Sequence, residues 1–402
     1  MPASEACAPF EHPRPGISKL SPALIFLFAL ASGLAVANAY FAHPMLDVMA
    51  DAVGLPRAQS GLIVGMTQLG YGLGLIFLVP LGDLFDRRRL VIFQSSLSVA
   101  ALLAIGLSPT AATLLTAMAF MGFLAVTTQS FVAYAASLAE DAERGHVVGL
   151  VTGGIVIGLL GARTLSGVVT DLAGWRVVYL TSAVLTSGLV MLLAFALPAQ
   201  PKTEPGSSYR ALIASLFTLF RAEPVLRVRS LLAMLIFANI TTLLTPLVLP
   251  LSAPPFSLSH TGVDLFGLAG IAGALGATRA GRWTDRGLGQ RVTGIALTMM
   301  LTAWTFIAML PHGLGWLVIG VVMIDFGLQA VHVTNQAMIY RVRPEAQSRL
   351  TAAYMVFYSI GSALGSSAST LLYTHAGWSG VCALGAAISV LSLIPWMSTR
   401  DR

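Results

Sequence analysis

Charged residues are scarce in this chain. They make up 10% of its 402 residues, whereas 56% are hydrophobic and the mean hydropathy is +0.81. A soluble domain carries about 25% charged residues, so this chain has too few to cover a surface that faces water. The shortage of charge therefore indicates a membrane protein.

Cysteine is also scarce. Cys7 lies in the leading tail and Cys382 in the last apolar run, and nothing about them suggests a disulfide or a metal site. The glycine-rich stretches are not followed by a Walker-type lysine, so we assign them no phosphate-binding role. We therefore expect neither a metal nor a cofactor. The leading segment lacks the basic start and short apolar stretch of a cleaved signal peptide, which favours a flexible tail.

Long apolar runs, by contrast, recur along the whole chain. A helix needs about 20 apolar residues to cross the hydrocarbon core of a bilayer. Twelve runs meet this requirement, and we predict spans at 21–46, 59–82, 90–108, 111–138, 147–172, 177–197, 231–250, 262–281, 292–310, 314–340, 350–374 and 379–397.

The basic residues fall mostly on one side of the membrane when the loops between spans are assigned to alternate sides. Twenty of the 23 Lys and Arg residues lie on that side, only Arg57 and Arg176 lie on the other, and Arg163 lies inside a span. By the positive-inside rule, the basic side is cytoplasmic. We therefore predict a multi-pass protein of the cell membrane, the inner membrane of a bacterium, with both termini in the cytoplasm.

The chain repeats itself at an offset near 200. Ala37-Asn38 returns as Ala238-Asn239, at an offset of 201, and Gly174-Trp175 returns as Gly377-Trp378. Such a repeat is typical of transporters built from two related halves. We predict a cytoplasmic tail at 1–20, a six-helix bundle at 21–197, a cytoplasmic linker at 198–230, a second six-helix bundle at 231–397 and a cytoplasmic tail at 398–402.

The segment 82–89, GDLFDRRR, resembles the loop motif between helices 2 and 3 of the major facilitator superfamily. A partial second copy, with Gly281, Asp285 and Arg286, follows the eighth span, where the superfamily places it. The resemblance implies an all-α polytopic membrane protein with twelve transmembrane helices in two pseudo-symmetric six-helix bundles. It is closest to the twelve-helix drug and metabolite efflux branch, which includes arabinose-efflux-like permeases. Met118 departs from that branch, which commonly has an arginine there.

In the resembling family, this loop latches the halves together on the cytoplasmic side in the outward-open state. An aspartate can face the positive end of a neighbouring helix, while nearby arginines bind its carboxylate or lipid phosphates. We carry the latch role to Asp86 and Arg87, with the start of helix 11 as the partner. Arg88 and Arg89 are interpreted as positive-inside residues only. The complete latch set is Gly82, Asp86, Arg87, Asp285, Arg286 and Arg349.

Helix 10 carries four polar residues on one face. Asp325, Gln329, His332 and Gln336 are spaced by 4, 3 and 4 residues. Ionisable groups inside spans are costly and usually mark pathways or proton relays. We predict Asp325 as a proton-coupling carboxylate, the alternative being a permanent structural ion pair or hydrogen-bond network. His332 is either a proton relay or a satisfied hydrogen-bonding group.

Further polar and aromatic residues inside the spans suit a mostly apolar ligand site with a few placed hydrogen bonds. Asn38 and Asn239 are interpreted as structural, each bonding a backbone carbonyl freed near Pro44 or Pro246. The candidate substrate-binding residues are Arg163, Tyr40, His43, Gln68, Tyr71, Thr127, Gln129, Gln329, Gln336, Tyr354 and Tyr358.

Arg163 is the only arginine or lysine in the interior of a predicted span, since Arg279 lies at the cytoplasmic end of its span. An arginine at mid-span costs about 2.5–3.5 kcal/mol on insertion scales, so a partner is expected. In the superfamily fold, helices 5, 8 and 10 come close, which allows Arg163 either to pair with Asp325 or to receive an anionic substrate. The alternative is a snorkelling or purely structural arginine.

These observations predict a secondary active transporter in which two halves rock around a mid-membrane site. Proton-coupled efflux of a drug or small metabolite is the first hypothesis, and proton-coupled uptake of an organic anion or other small solute is the second. A polytopic enzyme would need clustered acid, base or metal ligands, which the sequence does not offer, and a channel is disfavoured by the repeat. The expected partners are a small-molecule substrate, protons and membrane lipids, with no nucleic acid, and the protein is expected to be a monomer.

Overall fold

A computed structural model describes residues 21–139, 144–198, 208–259, 262–263, 266, 280, 283–342 and 347–399, and these residues contain no β-strand. Proline or a polar N-cap starts several of the helices, since the first turn leaves backbone N–H groups without partners. The helices are α1 Pro22–Tyr40, α2 Leu46–Ala52, α3 Gly61–Phe77, α4 Arg87–Gly106, α5 Ala111–Ala125, α6 Thr127–Leu138, α7 Arg144–Ala173, α8 Trp175–Ala196, α9 Tyr209–Ala222, α10 Pro224–Leu244, α11 Val248–Ser252, α12 Gly289–Ala308, α13 Leu314–Val342 and α14 Gln347–Met397.

Ten stretches of helix among the described residues are long and apolar enough to cross a membrane. The last of them, Arg349–Met397, contains the predicted spans 11 and 12, and the predicted span 262–281 lies almost entirely outside the described residues. Large apolar side chains such as Leu172 and Phe195 are exposed, as expected of a surface that faces lipid. The described part of the chain is therefore all-α and polytopic, and its ten apolar stretches contain eleven of the twelve predicted spans.

The internal repeat is visible in the backbone. Gly174 and Gly377 both adopt left-handed conformations, with φ of 88° and 62°. Each glycine precedes a tryptophan that begins the sixth helix of its half, and Gly377 interrupts α14. Because residues other than glycine rarely adopt positive φ, the same glycine at the same place in both halves preserves a sharp change of helix direction.

The paired asparagines join the first and last helices of each half. Asn38 accepts a hydrogen bond from Ser182 Oγ at 2.5 Å. Asn239 donates to the Gly385 carbonyl and to Ser389 Oγ, and it accepts from the Trp304 indole. The prediction that these amides bond carbonyls freed near Pro44 and Pro246 is therefore wrong. The interior of each bundle offers them nearer partners on neighbouring helices.

The two halves meet at the end of the molecule opposite the basic loops. Met45 and Leu46 from the first half belong to one buried core with Leu247 and Val248 from the second. In the same region α3 packs along α14, and Gly61 donates its backbone N–H to Thr370 Oγ1. At the basic end, each half has a separate core. The conformation is therefore closed at the end opposite the basic loops.

Helix α9 lies in the predicted linker and contacts both halves. The Tyr209 hydroxyl donates to the Phe77 carbonyl of the first half at 2.9 Å. The Phe220 ring stacks on Phe357 of α14, with centroids 4.8 Å apart. The next helix, α10, begins at Pro224, which lies inside the predicted linker. Proline is well tolerated in the first turn of a helix, so it can stand at this start.

Candidate functional site

A hydrogen bond between two tyrosine hydroxyls joins membrane-spanning helices of the two halves. Tyr40 ends α1, Tyr358 lies in α14, and their hydroxyl oxygens are 2.6 Å apart. The Tyr71 ring of α3 meets the Tyr358 ring edge-on, with centroids 6.2 Å apart. Three candidate residues from separate spans are therefore brought together at one point.

The second half extends this group towards the basic end. Phe237 of α10 contacts the rings of Tyr358 and His332, with centroids 4.0 Å and 5.3 Å away. His332 Nδ1 lies 2.9 Å from the Tyr354 hydroxyl. We call Tyr40, Tyr71, Phe237, His332, Tyr354 and Tyr358 the central aromatic cluster. Phe237 was missed in the sequence because nothing distinguishes it from the apolar residues around it.

Two amides border the central aromatic cluster. Gln68 of α3 lies by the Tyr358 hydroxyl, and Gln129 of α6 lies by the Tyr71 hydroxyl. Gln68 is buried, with 5% of its surface exposed. The cluster thus combines aromatic rings with amide and hydroxyl groups, which can position a ligand with a few hydrogen bonds.

Two other predicted residues make mainly local contacts. The His43 ring stacks on Tyr40 at 5.5 Å, and its Nδ1 lies 3.3 Å from the Tyr40 carbonyl. The Thr127 hydroxyl donates to the carbonyl of Leu124, within the same span. His43 is thus next to the central aromatic cluster. Thr127 is buried, and its hydroxyl donates to a backbone carbonyl and not to a residue of the cluster.

The predicted helix 10, with its four polar residues on one face, is α13 in the structure. Asp325 is partly buried in the first half of this helix, and Gln329 and Gln336 are partly buried further along. Arg163 lies in α7, but its side chain is outside the described part of the chain. The pairing of Arg163 with Asp325 therefore stays a prediction.

The loop after the second span contains the predicted latch residues. Asp86 caps α4, since its carboxylate accepts the backbone N–H of Arg89 at 2.9 Å. Arg87 donates to the carbonyls of Gly82 and Ala133. These contacts lie within the first half, and Arg349 is exposed. The latch was predicted for the outward-open state, so it stays a prediction in this conformation, which is closed at the opposite end.

The second copy of the loop motif is described only in part. Arg286 is exposed, and the side chain of Asp285 lies outside the described ones. No group of three or more His, Cys, Asp and Glu side chains suited to a metal ion occurs in the described ranges.

Arg229 is buried, although the sequence predicts that it lies in the cytoplasmic linker at 198–230. It lies in α10 with 2% of its surface exposed, because the helix begins earlier than predicted. Its Nη1 donates to Thr293 Oγ1 at 3.2 Å and to Asn335 Oδ1 at 3.3 Å, and its Nη2 donates to Gln290 Oε1 at 2.6 Å. The repeat offset of 201 contained a signal for this burial, because it aligns Arg229 with Phe28, a fully buried residue.

Two repeated halves of membrane helices, with a polar and aromatic cluster between them, define a membrane transporter. The sequence matches the profile of the Major Facilitator Superfamily over residues 26–276 and 231–402. The chain belongs to this superfamily.

Known proteins of similar sequence and structure agree with this assignment. The uncharacterized transporter YgaY of Escherichia coli O157:H7 is 43% identical over 378 residues, which are 94% of this chain and 96% of YgaY. The protein named "Probable transporter SCO4007" of Streptomyces coelicolor is 30% identical over 94% of this chain and 86% of its own length. The crystal structure of the nucleoside transporter NupG is similar in fold, with a TM-score of 0.75 and 16% identity, over 94% of this chain and 100% of NupG.

Proposed function

We propose that this transporter exports a drug or small metabolite by alternating access and that proton entry drives the export. The contact between Tyr40 and Tyr358 supports this proposal most directly. It links the two halves at the centre of the molecule, where a substrate must be exposed to one side and then to the other.

The basic loops support an assignment of the two membrane faces. Because basic loops are retained in the cytoplasm, the end of the molecule that carries them is assigned to the cytoplasm. The closed end is then extracellular, and the described conformation is inward-facing. A substrate would reach the central aromatic cluster from the cytoplasm, which is the loading step of an exporter.

Asp325 and His332 are the proposed proton-coupling residues. Both lie on α13, and His332 contacts Tyr354 of the central aromatic cluster. A carboxylate inside a membrane span is costly when charged, so it can exchange protons as its surroundings change between states. Protonation on one side and release on the other would then be coupled to the movement of the halves.

The substrate is to be identified first by measuring the thermal unfolding of the purified protein with drugs, sugars, amino acids and organic acids. A ligand that binds the folded protein raises the unfolding midpoint by mass action. The ligand found is then used in proteoliposomes with an imposed pH gradient. Export against a concentration gradient, driven by protons, supports the proposal, whereas proton-driven uptake of an organic anion would replace it with the second hypothesis.

We expect Asp325→Asn to abolish proton-driven uphill transport while leaving binding or substrate exchange partly intact. The substitution removes the exchangeable charge and keeps nearly the same shape. Asp51→Asn is the matched control, because Asp51 forms an exposed ion pair with Arg57 at 2.9 Å, away from α13. Wild-type uphill transport by Asp325→Asn would refute the coupling role.

A further inference from the structure

Helix α9 is attached to the second half at its C-terminal end. Leu219 belongs to one buried core with Leu350 of α14, and the Phe220 ring stacks on Phe357 of the same helix. A single residue, Glu223, separates the end of α9 from the start of α10. When the two halves rock, α9 is therefore carried with the second half.

The N-terminal end of α9 is bound to the first half by a hydrogen bond. The Tyr209 hydroxyl donates to the carbonyl of Phe77, the last residue of α3, at 2.9 Å. Carbonyls in the last turn of a helix lack donors within that helix. Pro80 has no N–H group, and the Leu81 N–H donates to the Leu78 carbonyl instead. Tyr209 thus supplies a donor that the backbone after α3 does not provide.

The two contacts are joined by continuous helix. The segment Tyr209–Ala222 contains neither glycine nor proline, and a helix rises about 1.5 Å per residue. Tyr209 and Phe220 are therefore held about 16 Å apart along the helix axis. Because α9 fixes this spacing between a contact on the first half and a contact on the second, a rocking movement breaks one of the two.

Helix α9 also contacts both sides of the predicted latch. It packs against the turn Val79–Asp83, which leads into the loop that contains Asp86. Its Leu219 shares a buried core with Leu350, which follows Arg349, the predicted partner of that loop. The latch would bring the loop and the start of α14 together, so α9 would have to move as the latch forms.

We propose that α9 is a strap that stabilises the described conformation, which is closed at the end opposite the basic loops. The Tyr209 hydrogen bond and the packing of Leu219 and Phe220 hold the two halves at their present spacing at the basic end. Release of Tyr209 from the first half accompanies the change to the other state. A contact made in only one of two states shifts the equilibrium between them by its own free energy.

The test measures distances between spin labels at the basic end of the full-length protein in nanodiscs. The labels are attached at Arg89→Cys in α4 and Arg291→Cys in α12, two exposed residues of different halves, in a background without the native cysteines. We expect Tyr209→Phe to lower the ratio of the described conformation to the other state about 2- to 5-fold. This is the lower part of the range for one neutral hydrogen bond, because the bond lies at the surface.

Ala214→Pro tests whether α9 acts as a rigid unit. Ala214 is exposed, so the side chains that make the end contacts are unchanged, but proline in the interior of a helix breaks it. We expect the ratio to fall at least as far as in Tyr209→Phe, and Ala214→Ser should leave it unchanged. Tyr209→Phe combined with Ala214→Pro should lower the ratio no further than Ala214→Pro alone, because both changes remove the same bridge.

Tyr134→Phe is the matched control for the hydroxyl. Tyr134 donates to the carbonyl of Pro198, which follows α8, so the bond does not cross between the halves. Its loss should leave the ratio unchanged. An unchanged ratio in Tyr209→Phe and Ala214→Pro, or an equal fall in Tyr134→Phe, would overturn the proposal. The result does not depend on the direction of transport or on proton coupling.

Discussion

The hydroxyl of Tyr358 forms a hydrogen bond across the boundary between the two halves. We expect Tyr358→Phe to weaken apparent substrate affinity about 2- to 10-fold, because a neutral hydrogen bond contributes about 0.5–1.5 kcal/mol. Equilibrium binding of the identified substrate checks this. Tyr179→Phe is the control, since Tyr179 is a fully buried tyrosine within the first half. Equal affinities for Tyr358→Phe and wild type would exclude a role for this hydroxyl in binding.

The paired asparagines differ in how many bonds depend on them. Asn239 makes three side-chain hydrogen bonds, whereas Asn38 makes one. We expect Asn239→Ala to lower the free energy of unfolding by about 1–3 kcal/mol, since it leaves the Trp304 N–H buried without its acceptor. Asn38→Ala should lower the free energy of unfolding by a smaller amount. Unfolding in denaturant measures both, and an equal or larger loss for Asn38→Ala would contradict this account.

At the scale of the elements, the closed end of the molecule depends on the close approach of α3 and α14. A Cβ atom at Gly61 would lie 2.0 Å from the Ser366 carbonyl oxygen, across the boundary between the halves. We expect Gly61→Ala to disfavour this closure by about 1–3 kcal/mol, which corresponds to about 5- to 150-fold in population. Thiol labelling of Ser366→Cys, in a background without the native cysteines, should then become faster.

Two further glycines provide controls for this experiment. A Cβ at Gly153 of α7 would meet nothing within 4 Å, so Gly153→Ala should leave the labelling rate unchanged. A Cβ at Gly70 would clash with the Ala119 carbonyl inside the first half, so Gly70→Ala should lower stability without faster labelling. If Gly61→Ala labels no faster than wild type, α3 and α14 do not control the closed end.

The elements also show why the sequence predicts some parts of the site and not others. Hydropathy and the repeat are local or periodic signals, so they located the spans. Tyr40 and Tyr358 were selected as candidates because they are aromatic residues with a polar group inside those spans. They could not show that these two hydroxyls meet, because contact between halves depends on tertiary packing. Arg229 was predicted to lie in the linker, and not in a membrane helix, because its charge suggested a loop.

At the scale of the whole molecule, alternating access requires a second state that is closed at the basic end. We expect Asp86→Asn to lower the population of that state, since it removes the charge of the proposed latch, and to slow transport. Asparagine also caps helices well, so the start of α4 should be kept. Distance measurements between spin labels on the two halves check this, with Asp51→Asn as the control. An unchanged distance distribution would exclude an electrostatic latch at Asp86.

The glycine break in α14 has a mechanical consequence. Gly377 turns the chain between the last two membrane helices without an intervening loop. Because a single residue connects these two helices, a tilt of the first helix that opens the closed end should also move the adjacent end of the second helix. Val390 faces outward on that second helix. A fluorophore attached there would report the opening of the gate from the lipid side, without touching the substrate path.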